Sequence, residues 1–212
     1  MLQAEQLIGE RRKLLPITPL LKAFSECYEA SHDSKVKTLL SKARQEIFEV
    51  LGKDRQAKLS DRERLPYTEA TIMEIQRAGN VGPRGLPHAT CDGPVQVGRY
   101  KIPRGHLILA NYKSLLQGDD HWEEGHRFSP ERFLNEETGR VVRDERFIPF
   151  SAGKRICPGE TLAKAELFLF LVGILQAFRL EPEDPNRVPP LEWRGGVTNV
   201  PVPFGVRLVD CK

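Results

Sequence analysis

The residues with the clearest chemical potential lie in the stretch FIPFSAGKRICPGE, residues 147–160. Cys157 follows the Lys154-Arg155 pair and precedes Pro158-Gly159 and a long apolar run. A thiol at the start of a helix is favoured as an anion, because unpaired backbone N–H groups and the helix dipole stabilise negative charge there. Such a sulfur has three possible uses: a nucleophile, an inert packing residue, or a ligand to a metal or haem iron.

The neighbours of Cys157 favour the third use. A nucleophilic cysteine usually needs a base, and no histidine lies near Cys157 in the sequence. An inert buried residue is the commonest role of a single cysteine taken at random. Gly153 and Gly159 would let a flat group approach the backbone closely. Lys154 and Arg155 can pair with carboxylates, the arginine through a bidentate fork. Haem carries two propionates, and its iron takes a cysteine thiolate in oxygen-activating enzymes.

Two other groups of polar residues have possible chemistry. Glu74 and Arg77 are three residues apart on one helical face and can pair; in isolation this would be a solvated pair worth roughly a few tenths of a kcal/mol. A loop also gathers possible metal ligands. No regular element fixes that loop, so we favour a solvated surface over a metal site for its members, Asp119, Asp120, His121, Glu123, Glu124 and His126.

Composition excludes several classes of protein. The 212 residues are 40% apolar and 29% charged with a net charge of +3, which is ordinary for a globular protein and gives no nucleic-acid signature. The four cysteines form no C-x-x-C pair, which argues against zinc knuckles and iron–sulfur clusters and fits a reducing compartment. No apolar run has the length of a signal peptide or membrane anchor, so we expect neither in this chain.

Helices dominate the predicted elements around these residues. Apolar spacing predicts a helix from Val36 to Leu51, capped by Gly52, and a second from Pro66 to Ala78, ended by Gly79, with a charged linker between them. A helix over residues 159–178 is apolar nearly all round and is therefore expected to be buried.

Short strands and turns are expected elsewhere. Residues 95–112 alternate in character and predict a small sheet, and residues 197–209 predict closing strands. The stretch 113–147 is too long for a simple connection, so it should carry function or pack on itself. The expected class is mainly α with small β-sheets, that is, α+β.

One motif links these features to a known family. The residues Phe150, Gly153, Arg155, Cys157 and Gly159 fill every defining position of F-x-x-G-x-R-x-C-x-G, which resembles the haem-binding signature of the cytochromes P-450. Upstream, Glu74-Ile-Gln-Arg77 resembles the E-x-x-R of that family, and 130–133 its P-E-R-F segment. The resemblance implies the C-terminal half of the cytochrome P-450 fold, in the microsomal drug- and steroid-metabolising branch.

The resemblance also implies roles for these residues. Cys157 would be the axial ligand of haem b (iron protoporphyrin IX), with Arg155 and His88 on the propionates, although a loop histidine bonded to backbone is the alternative for His88. Glu74, Arg77 and Arg132 would form a buried structural triad, and no catalytic side chain is assigned. Implied partners are an NADPH-cytochrome reductase and a small apolar substrate, with no nucleic acid. A location at the endoplasmic reticulum membrane follows from resemblance alone.

The domain interpretation separates two segments. Residues 1–35 form a divergent N-terminal segment, because the A-G-x-x-T pattern of the family's distal helix does not occur there. We interpret residues 20–30 as a remnant of the end of that helix. Residues 36–212 form the haem-binding C-terminal part. The function implied is a haem-thiolate monooxygenase that inserts one oxygen atom of O2 into an apolar substrate; the alternative is a truncated, non-catalytic haem-binding fragment.

Overall fold

The computed structural model describes residues 35–182, 193–194, 196–202 and 205–210. The expected N-terminal segment, apart from its last residue, and the interpretation of residues 20–30 fall outside the described residues. The helix α1 spans Lys35–Leu51 and ends at Gly52, whose φ of 73° and N–H bond to the Phe48 carbonyl (3.0 Å) make it the C-terminal cap. The prediction for this helix is confirmed to within one residue.

The linker after α1 is more ordered than its charge suggested. It contains a 3₁₀ helix, Leu59–Arg64, built around the carboxylate of Asp61. Asp61 accepts two bonds from the Arg55 guanidinium, both 2.9 Å, and one from the Lys58 backbone N–H at 2.8 Å. These bonds, that of Arg55 first, lower the pKa of Asp61 to about 2. An ion pair close in sequence therefore orders the segment that we predicted as a charged linker.

The helix α2, Pro66–Gly79, is central to the fold and is capped by a neighbouring helix. Glu46 of α1 accepts bonds from the backbone N–H groups of Tyr67 and Thr68, both 2.8 Å, and from the Thr68 hydroxyl at 2.7 Å. A carboxylate at a helix N-terminus also interacts favourably with the helix dipole. At its other end, Gly79 is helical and Asn80 (φ 32°) is the left-handed cap. The predicted stop at Gly79 is thus one residue early, because asparagine also tolerates this conformation.

The main core forms where α1 and α2 meet the helix α4, Glu160–Ala177. Its buried side chains are Ala43, Ile47 and Leu51 of α1, Ile72 and Ile75 of α2, and Leu167, Phe168, Leu171, Val172 and Leu175 of α4, together with Leu65 and Phe128. The expectation that α4 is buried all round is wrong. Its other face exposes Leu162 by 65%, Leu169 by 39% and Phe170 by 37%, because the described residues pack on one side of it only.

The strands among the described residues form four two-stranded antiparallel sheets. The pairs are β1 (His88–Ala89) with β4 (Leu107–Ile108), β2 (Val95–Val97) with β3 (Tyr100–Ile102), β5 (Phe178–Pro182) with β8 (Val206–Asp210), and β6 (Trp193–Arg194) with β7 (Val200–Pro201). The fold class predicted from the sequence, mainly α with small sheets, is confirmed.

The long stretch after β4 packs on α2. It begins with a helix that the sequence did not predict, α3 (Tyr112–Gln117), capped by Asn111, whose side-chain oxygen accepts the Ser114 N–H. A 3₁₀ turn over Pro130–Phe133 follows. Trp122 and Phe133 pack with Ala70 and Met73 of α2 in a second apolar cluster. This stretch is therefore a packed part of the domain.

No helix among the described residues is both long enough and apolar enough to cross a bilayer.

Candidate functional site

The thiol of Cys157 lies on an exposed loop that leads into α4. A 3₁₀ turn over Gly153–Arg155 precedes it, and the backbone N–H of Cys157 donates to the Phe150 carbonyl at 3.0 Å. The Cys157 carbonyl in turn accepts the N–H of Glu160, the first residue of α4, at 3.3 Å. The residue is exposed and its sulfur is free. A loop closed at both ends by backbone bonds thus presents the sulfur to the surroundings at the start of a helix.

The two glycines beside the sulfur have different explanations. Gly153 has a φ of 71°, a conformation that favours glycine whatever its neighbours are. Gly159 has an ordinary φ of −87°, and a methyl group there would meet only the Cys157 sulfur, at 3.8 Å. Neither backbone strain nor internal packing therefore requires glycine at 159. A bare backbone next to an exposed thiol, with Ile156 (49% exposed) and Leu162 nearby in sequence, fits the close approach of a flat apolar group.

The other predicted haem-site residues are all at least partly exposed. Lys154 and Arg155 are exposed on the 3₁₀ turn, and Phe150 is partly exposed with the Lys164 ammonium 5.7 Å from its ring centre. His88 is partly exposed on β1, where it pairs with Ile108 of β4. The described cations near the thiol are thus accessible to an anionic ligand.

A buried charged cluster lies on the face of α2 opposite the main core. Arg77 Nε and Nη2 contact the two carboxylate oxygens of Glu74 at 2.7 and 2.8 Å, and both side chains are fully buried. Arg132, 11% exposed, adds a bond from its Nε to Glu74 at 3.2 Å, and the Ser129 N–H donates to the same carboxylate at 2.8 Å. The structure therefore brings together the three charged residues that the sequence grouped.

Arg77 also collects backbone oxygens from distant parts of the chain. It donates to the carbonyls of Leu116 (2.7 Å), Gly125 (2.8 Å) and Arg127 (3.2 Å). The ring of Trp122 lies beside this group, 5.5 Å from the Arg77 guanidinium carbon. Every donor direction of this guanidinium is thus used, so the loop over residues 116–132 is fixed onto α2.

Comparison with known proteins identifies the family of this chain. The family model described as Cytochrome P450 matches residues 34–208. The chain belongs to the cytochrome P450 family. Membership implies a haem cofactor and monooxygenase chemistry at the level of the family.

The relatives of this cytochrome P450 chain are longer proteins. Cytochrome P450 2U1 of Homo sapiens is 43% identical over 167 residues, which are 79% of this chain and 30% of that protein. Cytochrome P450 2C2 of Oryctolagus cuniculus is 39% identical over 173 residues, 81% of this chain and 35% of that protein. Cytochrome P450 2D1 of Rattus norvegicus is 45% identical over 138 residues, 65% and 27% respectively. The chain thus spans about a third of the length of these relatives.

The acidic and histidine-rich loop of this P450 chain is occupied with protein contacts. Asp119 accepts the Gly125 N–H at 2.9 Å, His121 Nε2 lies 2.6 Å from an Asp144 carboxylate oxygen, and Glu124 pairs with Arg127 at 2.7 Å. These contacts shape the loop that offers its carbonyls to Arg77.

Several participants in the site were missed from the sequence. The carbonyls that accept hydrogen bonds from Arg77 are backbone atoms, so the residue types in the sequence do not indicate them. Tyr112 and Ser151 form a hydrogen bond of 2.9 Å between α3 and the cysteine loop. An aromatic residue directly after a capping Asn111 is the only local signal for Tyr112, and it does not indicate a partner 39 residues away.

Proposed function

We propose that this chain forms the haem-binding part of a haem-thiolate monooxygenase that inserts one oxygen atom of O2 into an apolar organic substrate. The observation that carries the proposal is the exposed sulfur of Cys157 at the start of α4, beside the bare backbone of Gly159. Family membership supports the same chemistry. The domain interpretation follows from this proposal: residues 36–212 are the haem-binding part.

The residues around the thiol suit the parts of haem b. Cys157 would bind the iron, Gly153 and Gly159 would leave room for the porphyrin, and Arg155 and His88 would bind its propionates. Phe150 would hold the loop through its carbonyl, which accepts the Cys157 N–H. A cysteine-ligated haem supplies oxygen activation, since the thiolate donates electron density that favours O–O cleavage.

The charged cluster would act as the support of this loop. Glu74, Arg77 and Arg132 contact neither the sulfur nor its neighbours in sequence, so their role would be structural. They hold residues 116–132 against α2, and the segment that follows, through Phe147, leads directly into the cysteine loop. Phe147 packs edge-on against Phe133 with the ring centres 4.9 Å apart, which joins the cluster to that segment.

The electron donor is proposed to be an NADPH-cytochrome reductase. Lys154, within the haem motif, and Arg143 and Arg146, which precede it, are exposed and would bind an acidic surface. Rates of electron transfer should then fall with ionic strength. Association with the endoplasmic reticulum membrane is proposed from family resemblance.

A second candidate is a haem-binding chain without turnover. The observation that favours it is the apolar face of α4, because Leu162, Leu169 and Phe170 are exposed on the side away from the core. A substrate cavity needs walls that largely enclose its ligand, and the described residues leave this face open.

Carbon monoxide spectroscopy tests both candidates. The chain is loaded with hemin, reduced and exposed to carbon monoxide; we expect the red-shifted Soret band of a thiolate complex. Cys157→Ser should lose this band, while the control Cys91→Ser, which removes the other described exposed thiol, should keep it. The band would be unaltered in Cys157→Ser if the ligand assignment were wrong.

Turnover then separates the two candidates. Product formation from an apolar probe substrate, with NADPH and the reductase, supports the monooxygenase. A thiolate band without product supports a haem binder that does not turn over.

A further inference from the structure

The cysteine loop is fastened to α3 by a contact that the haem motif does not explain. The hydroxyls of Tyr112 and Ser151 are 2.9 Å apart and share a hydrogen bond. Ser151 is a non-glycine residue with a φ of 69°, in the left-handed region that side chains rarely adopt. A strained residue persists only when its surroundings hold it in place, and such residues concentrate at functional sites.

The Tyr112 ring is itself held against the backbone of the loop that follows α2. A methyl group on Gly85 would lie 2.6 Å from Tyr112 Cε2, so the ring packs directly on this glycine. Gly85 has a φ of 58° and donates its N–H to the Gly82 carbonyl at 2.9 Å. The next residue of α3, Lys113, donates its N–H to the Pro83 carbonyl at 3.0 Å. The phenol is therefore presented by a fixed element.

The bond to Ser151 reaches the thiol through a single peptide group. The carbonyl of Phe150 belongs to the same planar peptide as the Ser151 N–H. This carbonyl accepts the Cys157 N–H at 3.0 Å, and the Ser151 N–H donates to Ile148 at 3.0 Å. Anchoring the Ser151 side chain thus fixes the orientation of the Phe150 carbonyl, and this carbonyl fixes the backbone of Cys157.

We infer that Tyr112 is a positioning residue for the Cys157 sulfur and acts through its hydrogen bond to Ser151. The inference rests on the proposed function and deepens it, since it gives a residue outside the haem motif a role in the geometry of the loop that carries the proposed iron ligand. It concerns the sulfur's position, which is measurable on the chain with or without haem.

The variants Tyr112→Phe and Ser151→Gly test the inference from both sides. Tyr112→Phe keeps the ring on Gly85 and removes only the hydroxyl. Ser151→Gly removes the other hydroxyl and also relieves the backbone strain, because glycine adopts a positive φ without cost. The control is Tyr100→Phe, which removes an exposed tyrosine hydroxyl that is bonded to Arg99 and lies outside the loop.

The primary measurement is the rate at which iodoacetamide alkylates Cys157 in the haem-free full chain, resolved by peptide mapping and divided by the rate at Cys91. We expect both test variants to change this ratio in the same direction by roughly threefold to tenfold, the equilibrium factor that corresponds to about one net hydrogen bond. The double variant should add little to either single variant. Tyr100→Phe should leave the ratio unchanged.

Ser151→Gly also separates positioning from a purely structural role. Relief of strain should leave the urea midpoint unchanged or raise it, so a change in Cys157 reactivity without loss of stability supports positioning. The inference is overturned if Tyr112→Phe and Ser151→Gly leave the ratio as Tyr100→Phe does, or if their effects multiply in the double variant.

Hemin loading keeps this test distinct from that of the proposed function. If the parent chain gives a thiolate Soret band, we expect that band to broaden or shift in both test variants. If the parent chain gives no such band while the alkylation ratios of both test variants still change, the haem proposal fails and the positioning role stands. If the band forms but neither variant alters the ratio, the positioning role fails and the haem proposal stands.

Discussion

Replacing Arg77 by methionine removes the centre of the buried charged cluster while keeping a long apolar side chain. The fully buried Glu74 carboxylate then loses both of its bonds to Arg77 and keeps only those from Arg132 and the Ser129 N–H. Breaking a buried ion pair by removing one partner costs about 3–5 kcal/mol, and Arg132, with one bond of 3.2 Å, replaces only part of the lost interaction with Glu74. Ordinary domains have only about 5–15 kcal/mol of stability, so this variant should be close to unfolding.

The loss of stability in Arg77→Met has a second contribution. The carbonyls of Leu116, Gly125 and Arg127 lose their donor, and a buried acceptor left unpaired costs roughly 1–3 kcal/mol. Arg77→Lys keeps the charge but has one nitrogen in place of the planar fork. It should therefore recover only part of the stability lost in Arg77→Met. The double variant Glu74→Gln with Arg77→Met should be more stable than Arg77→Met alone, because the buried charge is gone.

Urea unfolding followed by circular dichroism measures these differences, and hemin uptake provides a second readout. We expect Arg77→Met to take up no hemin, since the support of the cysteine loop is lost. The control is Arg127→Ala, which breaks an exposed pair with Glu124 and should cost less than about 1 kcal/mol. A loss of stability in Arg77→Met no greater than that in Arg127→Ala, with a normal thiolate spectrum, would refute this reasoning.

Three further predictions test the local contacts. Asp61→Asn should destabilise the chain near pH 6, and the difference from the parent should shrink as the pH falls from about 4 to about 2. The reason is that Arg55 lowers the pKa of the Asp61 carboxyl from 3.8 to about 2 in the folded state. The carboxylate therefore stabilises the fold fully above its unfolded pKa, and this stabilisation is lost below its folded pKa. A constant difference between the urea midpoints of variant and parent at stepped pH would contradict this prediction. Gly125→Ala should lower the free energy of unfolding by about 1–3 kcal/mol, since its methyl group would overlap the Gln117 carbonyl oxygen. The control Gly82→Ala would meet nothing within 4 Å and should be neutral or nearly so. Equal urea midpoints for the two variants would argue against this prediction. Glu46→Ala should cost about 0.5–2 kcal/mol by leaving the start of α2 uncapped, and an unchanged melting temperature would count against the capping role.

Periodicity and capping residues predicted the helices well where the signal is local. The apolar spacing of α1 and its terminal Gly52, and the proline that opens α2, depend on neighbours within a few residues. The 3₁₀ turn around Asp61 and the helix α3 were missed because short elements lack the length that periodicity requires. Apolar patterning of α4 predicted the helix but not which face would be covered, since burial depends on what packs against it.

The candidate site, like the fold, could be predicted only where the signal in the sequence is local. The spacing of Glu74 and Arg77, with the motif around Cys157, identified residues that the structure places on one helix face and on one loop. The three carbonyls on Arg77 could not be predicted, because a backbone oxygen carries no residue signature. Tyr112 and Ser151 were missed for a related reason: their contact requires the loop after α2 and the cysteine loop to meet α3 at once.

The helix α4 joins two regions of the molecule as a stiff rod. Its buried side, at Phe168 and Leu171, interlocks with α1 and α2, while its first turn follows directly on Cys157. About 12 Å of helix axis separates Phe168 from Glu160, the first residue of α4, at roughly 1.5 Å per residue. A methylene group added or removed at Phe168 or Leu171 would tilt or shift the whole helix. The volume of these core side chains therefore affects the position of the Cys157 sulfur.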